Sequence, residues 1–281
     1  MSEYLQPKSL EEALSALSQH AYTPLAGGTD FYPPRSAQII KDPILDLSKI
    51  RSLQIIEERA NDYRIGATAT WSDIINGDLP ELFDCLRLAA REVGGKQIQN
   101  IGTIAGNICN ASPAADSIPP LLALNAKVEL ESIGRIRTVN LDEFITGNRT
   151  TLRKADELVT GITIPRPKQP CVSTFLKLGA RKYLVISVVM VAVILEVDVH
   201  RIITSARIAV GSCSPVAQRL PQLEDDLIGK KVGSNFSETP SHEHLLSLTP
   251  IDDIRSKALY RKDAALTLVI RALEELETKL S

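Results

Sequence analysis

Residues 93–116 read VGGKQIQNIGTIAGNICNASPAAD and gather the side chains best suited to holding a ligand. Gly94, Gly95, Gly102 and Gly106 are interspersed with small polar residues: Gln97, Gln99, Asn100, Thr103, Asn107, Asn110 and Ser112. Glycine lets the backbone approach a ligand closely and reach positive φ. Successive backbone N–H groups in such turns form anion-binding concavities, and Asn and Thr add directed donors and acceptors. Ile98, Ile101, Ile104 and Ile108 punctuate the stretch, which predicts that it is buried rather than a loose linker. Two readings fit these residues: one wall of a site for a phosphate-bearing cofactor, or a Gly/Asn-rich loop that only turns the chain. A second stretch, residues 24–31, reads PLAGGTDF, an apolar entry followed by two glycines, Thr29 and Asp30. Together the two could close on one ligand from two sides. Neither is a G-x-G-x-x-G opening a helix, nor a G-x-x-x-x-G-K-[ST] phosphate loop.

The other reactive side chains are scattered. Cys85, Cys109, Cys171 and Cys213 include no C-x-x-C pair, whereas zinc and iron–sulfur sites cluster their ligands. Cys109 lies inside the glycine-rich stretch, where small-residue packing is its expected role. His20, His200, His242 and His244 form no ligand set, and the last two, in the polar run SETPSHEH, are expected to be solvated. A formal net charge of −2 with no long basic run gives nucleic-acid binding no electrostatic support. The longest aliphatic run, Leu184–Leu195, falls short of the roughly 20 apolar residues of a spanning helix, so no membrane span is expected. Its Val and Ile content predicts a buried strand. The opening residues MSEYLQPKSLEEAL lack the basic region and apolar core of a secretory signal. A cytoplasmic protein without disulfides is the default expectation.

The elements that position these stretches leave their own signals. A length of 281 residues suggests about two domains at roughly 150 residues each, and 44% hydrophobic residues supply a substantial core. Ser9-Leu-Glu-Glu12 is a capping box opening a helix with Leu10, Ala13, Leu14 and Leu17 at helical spacing. Strands are predicted over 22–26, 44–47, 53–57 and 63–67, a βαβ-like start that puts the first glycine turn at a strand end. Thr70-Trp-Ser-Asp73 caps the next helix, and Pro80 opens another that runs through Glu92. Residues 116–124, DSIPPLLAL, begin a helix with prolines tolerated in its first turn. Val128 and Leu130 mark a half-buried strand, 141–144 a helical turn, and 158–164 a strand ended by Pro165. RPKQP, 166–170, suits a linker. Strands over 172–178, 185–197 and 206–212 follow, then a helix over 220–227 and a polar loop over 233–243. Thr249-Pro-Ile-Asp252 reads as a cap before a long amphipathic helix over about 256–280, with Leu259, Leu266, Val269, Ile270, Leu273 and Leu276 on or near one face.

AGGTD at 26–30 and TIAGNICNASPAAD at 103–116, in this order and spacing, resemble the two flavin motifs of the FAD-binding subunits of molybdenum hydroxylases. That family includes xanthine dehydrogenase, the medium subunit of aerobic carbon monoxide dehydrogenase and 4-hydroxybenzoyl-CoA reductase. DELVTGITIP at 156–165 and FLKLGARK at 175–182 extend the resemblance over essentially the whole chain. It implies an α+β FAD-binding fold of the vanillyl-alcohol-oxidase type. Two α+β subdomains, about 1–52 and 53–168, would form the FAD-binding domain, followed by a small C-terminal α/β domain over 169–281. It further implies that Ala26, Gly27, Gly28, Thr29, Asp30 and Phe31 hold the FAD diphosphate, mostly through backbone N–H, and that Thr103, Ile104, Ala105, Gly106 and Asn107 face it. Asp116 resembles the family acid that hydrogen-bonds a cofactor hydroxyl, and Val159 and Lys177 match further flavin-contacting positions. From the residues alone, Thr29 and Asp30 also suit an ordinary turn, Asp116 a cap for the helix at 117–124, Lys177 a solvated strand position and Val159 the core. Some departures from the family pattern matter. Ala105 stands where TIGGN has its first glycine, tolerable only if φ stays negative. Val93 stands where animal xanthine dehydrogenases stack an aromatic residue on the flavin. No cysteine cluster marks the iron–sulfur insertion of the 4-hydroxybenzoyl-CoA reductase branch, and no histidine lies in either motif, which points to non-covalent FAD.

The resemblance implies a redox subunit with two partners: a small [2Fe–2S] subunit and a large subunit carrying the molybdenum cofactor, with both metals on those partners only. FAD would take electrons from the clusters and pass them to NAD or another acceptor. The cofactor carries that chemistry while the protein positions and tunes it, so no catalytic side chain and no metal ligand is expected here. Two other readings stay open on the residues: a self-contained flavin oxidase or reductase of the same fold, with Tyr183 as its candidate acid or base, and a non-redox nucleotide-binding protein.

Overall fold

The computed structural model describes residues 3–37 and 39–281. Strands β1 (Tyr4–Leu5), β2 (Thr23–Leu25) and β3 (Ile44–Asp46) form a parallel sheet in the order β1-β3-β2. Helix α1 (Leu10–Gln19) connects β1 to β2. Ser9 caps it by accepting the Glu12 N–H at 3.1 Å, while Glu12 reaches back to the N–H of Lys8 rather than that of Ser9. Ala13, Leu14 and Leu17 share a small core with Tyr22, Leu45 and Leu47. The AGGTD turn leaves directly from the end of β2.

Leu53 falls in a 3-10 turn, Arg51–Leu53, so the next strand, β4 (Ile56–Glu58), starts later than its apolar run suggests. It is the edge of a five-stranded antiparallel sheet, β4-β5-β10-β6-β7, completed by β5 (Asp62–Gly66), β6 (Lys127–Ser132), β7 (Arg135–Asn140) and β10 (Leu158–Pro165). Between β5 and β6 the chain runs through α2 (Trp71–Asn76), α3 (Asp84–Glu92), α4 (Lys96–Ile101), α5 (Ile104–Asn110) and α6 (Ile118–Ala123). The expected Thr70/Asp73 capping box starts α2. Pro80 precedes a 3-10 turn, Glu81–Phe83, that leads into α3, so it does not open that helix itself. Pro119 and Pro120 sit in the first turn of α6, where a missing N–H costs no intrahelical bond. A single helical turn, α7 (Leu141–Phe144), and the hairpin β8 (Ile145–Gly147) and β9 (Thr150–Thr151) return the chain to β10. The pairing of β10 with β6 slips between Val159 and Gly161, leaving Thr160 as a bulge.

Beyond residues 166–170, β11 (Cys171–Gly179), β12 (Ser187–Val197), β13 (Ile203–Gly211) and β14 (Gln218–Arg219) form a second antiparallel sheet in that order, with α8 (Pro221–Leu227) and α9 (Ala258–Leu280) against it. All 11 residues of β12 are buried. Met190, Ala192 and Ile194 join the core that holds Leu86 of α3 and Leu121 of α6, while Val189, Val191, Val193 and Leu195 join Leu223, Leu227, Leu273 and Leu276 on the other side. Burial on both faces explains why this strand reads as an unbroken aliphatic run. Thr249 does not cap α9: its N–H donates to Ser214 Oγ at 3.0 Å, and Asp252 accepts the Ala258 N–H at 2.6 Å. Val269, Leu273 and Leu276 are buried as expected, but Leu259 is 74% exposed. Arg261 takes the buried place in that turn because its guanidinium donates to the carbonyls of Val188 and Ser212. Among the described residues no helix is long and apolar enough to cross a membrane.

Candidate functional site

A cleft of about 520 Å³ separates the first glycine turn from α5. Ala26–Phe31 form one wall, and Gly102, Thr103, Gly106, Asn107 and Asn110 the other, with Trp71, Val93, Cys109, Arg35 and Arg149 among the other lining residues. The walls meet tightly at Gly27, where a Cβ would lie 1.9 Å from the Ile101 carbonyl oxygen. Gly28 has φ +69°, the left-handed region that favours glycine, and the Phe31 and Tyr32 N–H groups fold back onto its carbonyl. No backbone carbonyl of the described residues accepts the N–H of Ala26, Gly27, Gly28, Thr29 or Asp30. Such a run of free donors on a cleft wall suits an anion. Arg35 and Arg149, which no motif flags, bring positive charge to the same cleft. Arg35 lies over the Phe31 ring at 4.2 Å and donates to the Phe31 carbonyl. Arg149 sits at φ +56° at the tip of the β8–β9 turn, with its N–H on Ala111 O and its guanidinium 2.5 Å from Asn110 Oδ1.

The second motif contributes unevenly. Thr103 caps α5 by accepting the Gly106 N–H at 3.1 Å. The Ile104 N–H donates to Ala69 O at 3.0 Å and the Ala105 N–H to Ala67 O at 3.2 Å. Ile104 and Ala105 are buried and do not face the cleft; they moor the first turn of α5, whose N–H groups need acceptors outside the helix. Ala67 in turn donates to Thr160 O in the β10 bulge, so Val159, also buried, stands behind the wall rather than in it. Ala105 is helical and has no positive φ, which removes the steric objection to alanine there. Ile104 and Ile108 are buried, but Ile101 is 52% exposed because its carbonyl, not its side chain, faces Gly27. Cys109 lines the cleft as a thiol whose pKa burial pushes up to about 11. His244 is not solvated: its side chain is buried, with Nδ1 on the Ser241 N–H and Nε2 3.0 Å from Asp226. Among the described residues no group of His, Cys, Asp and Glu side chains could hold a metal.

Asp116 and Lys177 form one unit. Lys177 Nζ donates to Asp116 Oδ2 at 2.7 Å, and Ser187 Oγ donates to Asp116 Oδ1 at 2.6 Å. Asp116 therefore caps no helix, since α6 begins after Ser117 without a side-chain cap, and Lys177, with its side chain 6% exposed, is not solvated. Burial raises the Asp116 carboxyl above its ordinary pKa, with the Lys177 charge and the two hydrogen bonds working against that rise. Lys177 lines a second groove of about 440 Å³ with Leu88, Glu92, Phe175, Gly179 and Arg181. At the end of α3 Glu92 lines the groove, and the next residue, Val93, lines the cleft. A Cβ on Gly95 would lie 3.6 Å from Leu184, so the loop after β11 reaches this point as well. Tyr183 in that loop is 64% exposed and lines neither space.

A cleft walled by backbone donors suited to an anion, together with a partly apolar groove, fits FAD, which has a diphosphate in its middle and a flat ring system at one end. Residues 1–167 match the family described as the FAD binding domain in molybdopterin dehydrogenase, and residues 174–276 match the CO dehydrogenase flavoprotein C-terminal domain. The chain is 33% identical over 272 residues to the nicotinate dehydrogenase FAD-subunit of Eubacterium barkeri, covering 93% of this chain and 91% of that one. It is 30% identical over 275 residues to the glyceraldehyde dehydrogenase medium chain of Sulfolobus acidocaldarius, covering 97% of each. Its fold superposes on a chain of the reconstituted CO dehydrogenase from Oligotropha carboxidovorans with a TM-score of 0.89 at 26% identity, over 99% of this chain and 98% of that one. Motif, cleft and likeness over nearly the full length agree, and the chain belongs to the family of FAD-binding medium subunits of molybdenum hydroxylases.

Proposed function

We propose that this chain carries non-covalent FAD as the electron-transfer subunit of a cytoplasmic molybdenum hydroxylase. It works with a small subunit holding [2Fe–2S] clusters and a large subunit holding the molybdenum cofactor. Electrons pass from the clusters through FAD to NAD or another acceptor. The names of the relatives, an FAD-subunit and a medium chain of dehydrogenases, support this division of labour. The observation that supports this reading of the cofactor's place is the row of N–H groups at Ala26–Asp30 that no backbone carbonyl of the described residues accepts, facing Thr103, Gly106 and Asn107 across one cleft. Hydrogen bonds to a charged group contribute roughly 1.5–3 kcal/mol each, so several converging donors can hold a diphosphate without a lysine. In this reading Phe31 closes the turn, Ile104, Ala105 and Val159 support the second wall from behind, and Asp116 and Lys177 serve the ring end. Bound FAD supplies the one- and two-electron chemistry; the chain's residues orient it and shield it from water.

The purified chain is expected to be yellow and to release intact FAD on acid precipitation, with iron and molybdenum present only when partner chains copurify. A chain that takes up no flavin when FAD is added, or that keeps flavin on the precipitated polypeptide, overturns the cofactor assignment. Stoichiometric iron on the isolated chain overturns the division of metals.

A further inference from the structure

We infer that Ser187 is a positioning residue for Lys177, acting through Asp116 to set the charge presented to the second groove. This rests on the reading that the ring end of FAD occupies that groove. Three elements on both sides of the 166–170 segment meet in this network. Asp116 ends the glycine-rich motif, Lys177 lies on β11 and Ser187 begins β12. Asp116, Ser187 and the side chain of Lys177 are buried, and each carboxylate oxygen of Asp116 has one partner in the sheet of β11 and β12.

A local irregularity aims the serine. Leu178 pairs with Val189, but Gly179 pairs with Ser187, leaving Val188 as an extra residue on β12. Val188 and its neighbour Val189 both enter the core that holds α8 and α9, which strict alternation forbids. The bulge resets the alternation and turns Ser187 to the side of β11 that carries Lys177. Buried Arg261 fixes the bulge by donating to the Val188 carbonyl at 2.7 Å and the Ser212 carbonyl at 3.0 Å. A serine serving only as strand filler would need none of these arrangements.

The charged groups facing Asp116 are few. Lys177 on β11 pairs with it, and Glu92 at the end of α3 opposes its ionisation. α6, IPPLLA, carries no titratable side chain, and β12 faces it with Ser187 alone. The hydroxyl of Ser187 thus supports the ionised carboxylate. With that donor removed, the carboxylate takes up a proton more readily and neutralises Lys177 less completely. A less compensated ammonium beside the ring system favours electron uptake.

The test compares the purified, FAD-loaded chain with its Ser187→Ala, Ser187→Thr and Lys177→Met variants. FAD content and the flavin midpoint potential are measured across pH, with circular dichroism as the fold control. Ser187→Ala is expected to keep FAD and helix content, to shift the potential positive, and to add a pH-dependent step as Asp116 protonates. Ser187→Thr is expected to restore both, and Lys177→Met to shift the potential negative. If Ser187→Ala leaves the potential and its pH profile at the wild-type values while Lys177→Met shifts them, the positioning role falls and the groove assignment stands. If Lys177→Met shifts nothing, the ring end lies elsewhere and the inference falls with that reading. If Ser187→Ala unfolds, Ser187→Thr decides: a wild-type profile that survives the extra methyl supports the hydroxyl's role, and a shifted one sinks it.

Discussion

At the scale of single residues, Gly27 and Gly106 answer to different constraints although both lie in glycine motifs. A side chain at Gly27 meets the Ile101 carbonyl and the Gly102 Cα, both backbone atoms that cannot rotate away. Its only escape is to push the AGGTD turn and the α4–α5 junction apart, which widens the cleft and displaces several N–H donors together. At Gly106 the only close neighbour of a Cβ among the described residues is Thr103 Oγ1, 2.8 Å away, the oxygen that caps α5. That hydroxyl can turn aside at the cost of the cap, about 1 kcal/mol. Gly27→Ala is therefore expected to lower FAD affinity by on the order of tenfold or more, equivalent to about 1.4 kcal/mol, and to lower the melting temperature. Gly106→Ala should weaken FAD less and cost about 1 kcal/mol of stability. Flavin titration with thermal melts checks the ranking, and equal losses from the two variants would mean that the glycines are not distinguished by the wall contact. The glycine motifs were visible in the sequence because glycine has few other uses at such density. Arg35 and Arg149 were not, because an isolated arginine outside a motif gives no sign of which cavity it reaches.

At the scale of elements, β7 is the outer strand of the five-stranded sheet and exposes Ile136, so its pairing with β6 is backed by a side-chain grip. Arg137 supplies it through two hydrogen bonds to Glu157, 2.7 and 2.8 Å, while also donating to the Leu152 carbonyl. Glu157 is 1% exposed and also accepts the Lys154 N–H, which fixes the approach to β10 and hence the bulge behind α5. The Arg137 hydrogen bonds hold the Glu157 carboxyl down to about 2 against its burial. A carboxyl whose folded pKa is depressed contributes stability at pH above its unfolded value and loses it as pH falls through the folded value. This contribution is thus complete above about pH 5 and fades between the ordinary glutamate range and about 2. Arg137→Ala should cost about 3 kcal/mol at neutral pH, since it strands a buried carboxylate. It should also flatten the fall in stability between pH 5 and 2 relative to the parent, as urea unfolding across pH would register. An unchanged slope would assign the acid sensitivity to other carboxylates. Most elements here were legible from caps, prolines and aliphatic runs. The bulges at Thr160 and Val188 were not, because each depends on register against a neighbouring strand, and register is a property of the pair.

At the scale of the molecule, the two antiparallel sheets meet through α3 and α6, and two arginines from the second sheet close the α6 side of that contact. Arg207 donates at 2.8 Å to the carbonyl of Ala123, at the end of α6 where carbonyls lack helical partners, and Arg219 donates at 3.3 Å to the Leu122 carbonyl, which also accepts the Asn125 N–H. Arg207 also pairs with buried Glu196 at 2.6 Å, and the other oxygen of Glu196 accepts the N–H groups of Lys168 and Gln169. One ion pair thus ties the second sheet both to α6 and to the 166–170 connection. The network of Asp116, Lys177 and Ser187 crosses the same boundary, so the ring end of the proposed FAD site depends on how firmly the sheets are held together. Arg207→Ala leaves Glu196 buried without its cation and Ala123 O without its donor. Breaking a buried pair from one side costs about 3–5 kcal/mol, and the loss should fall on the contact rather than on either sheet. Calorimetry is expected to show a broader transition than the parent's, or two transitions. Tryptic cleavage after Lys168 should quicken, since the Lys168 and Gln169 N–H groups lose a fixed acceptor. Arg207→Lys should recover the pairing with Glu196 but not the fork that also reaches Ala123 O, and so fall between the two. A variant that melts in one sharp transition at a lower temperature, with cleavage after Lys168 unchanged, would mean that the apolar contact of α6 with β12 and β13 holds the sheets together without the arginine.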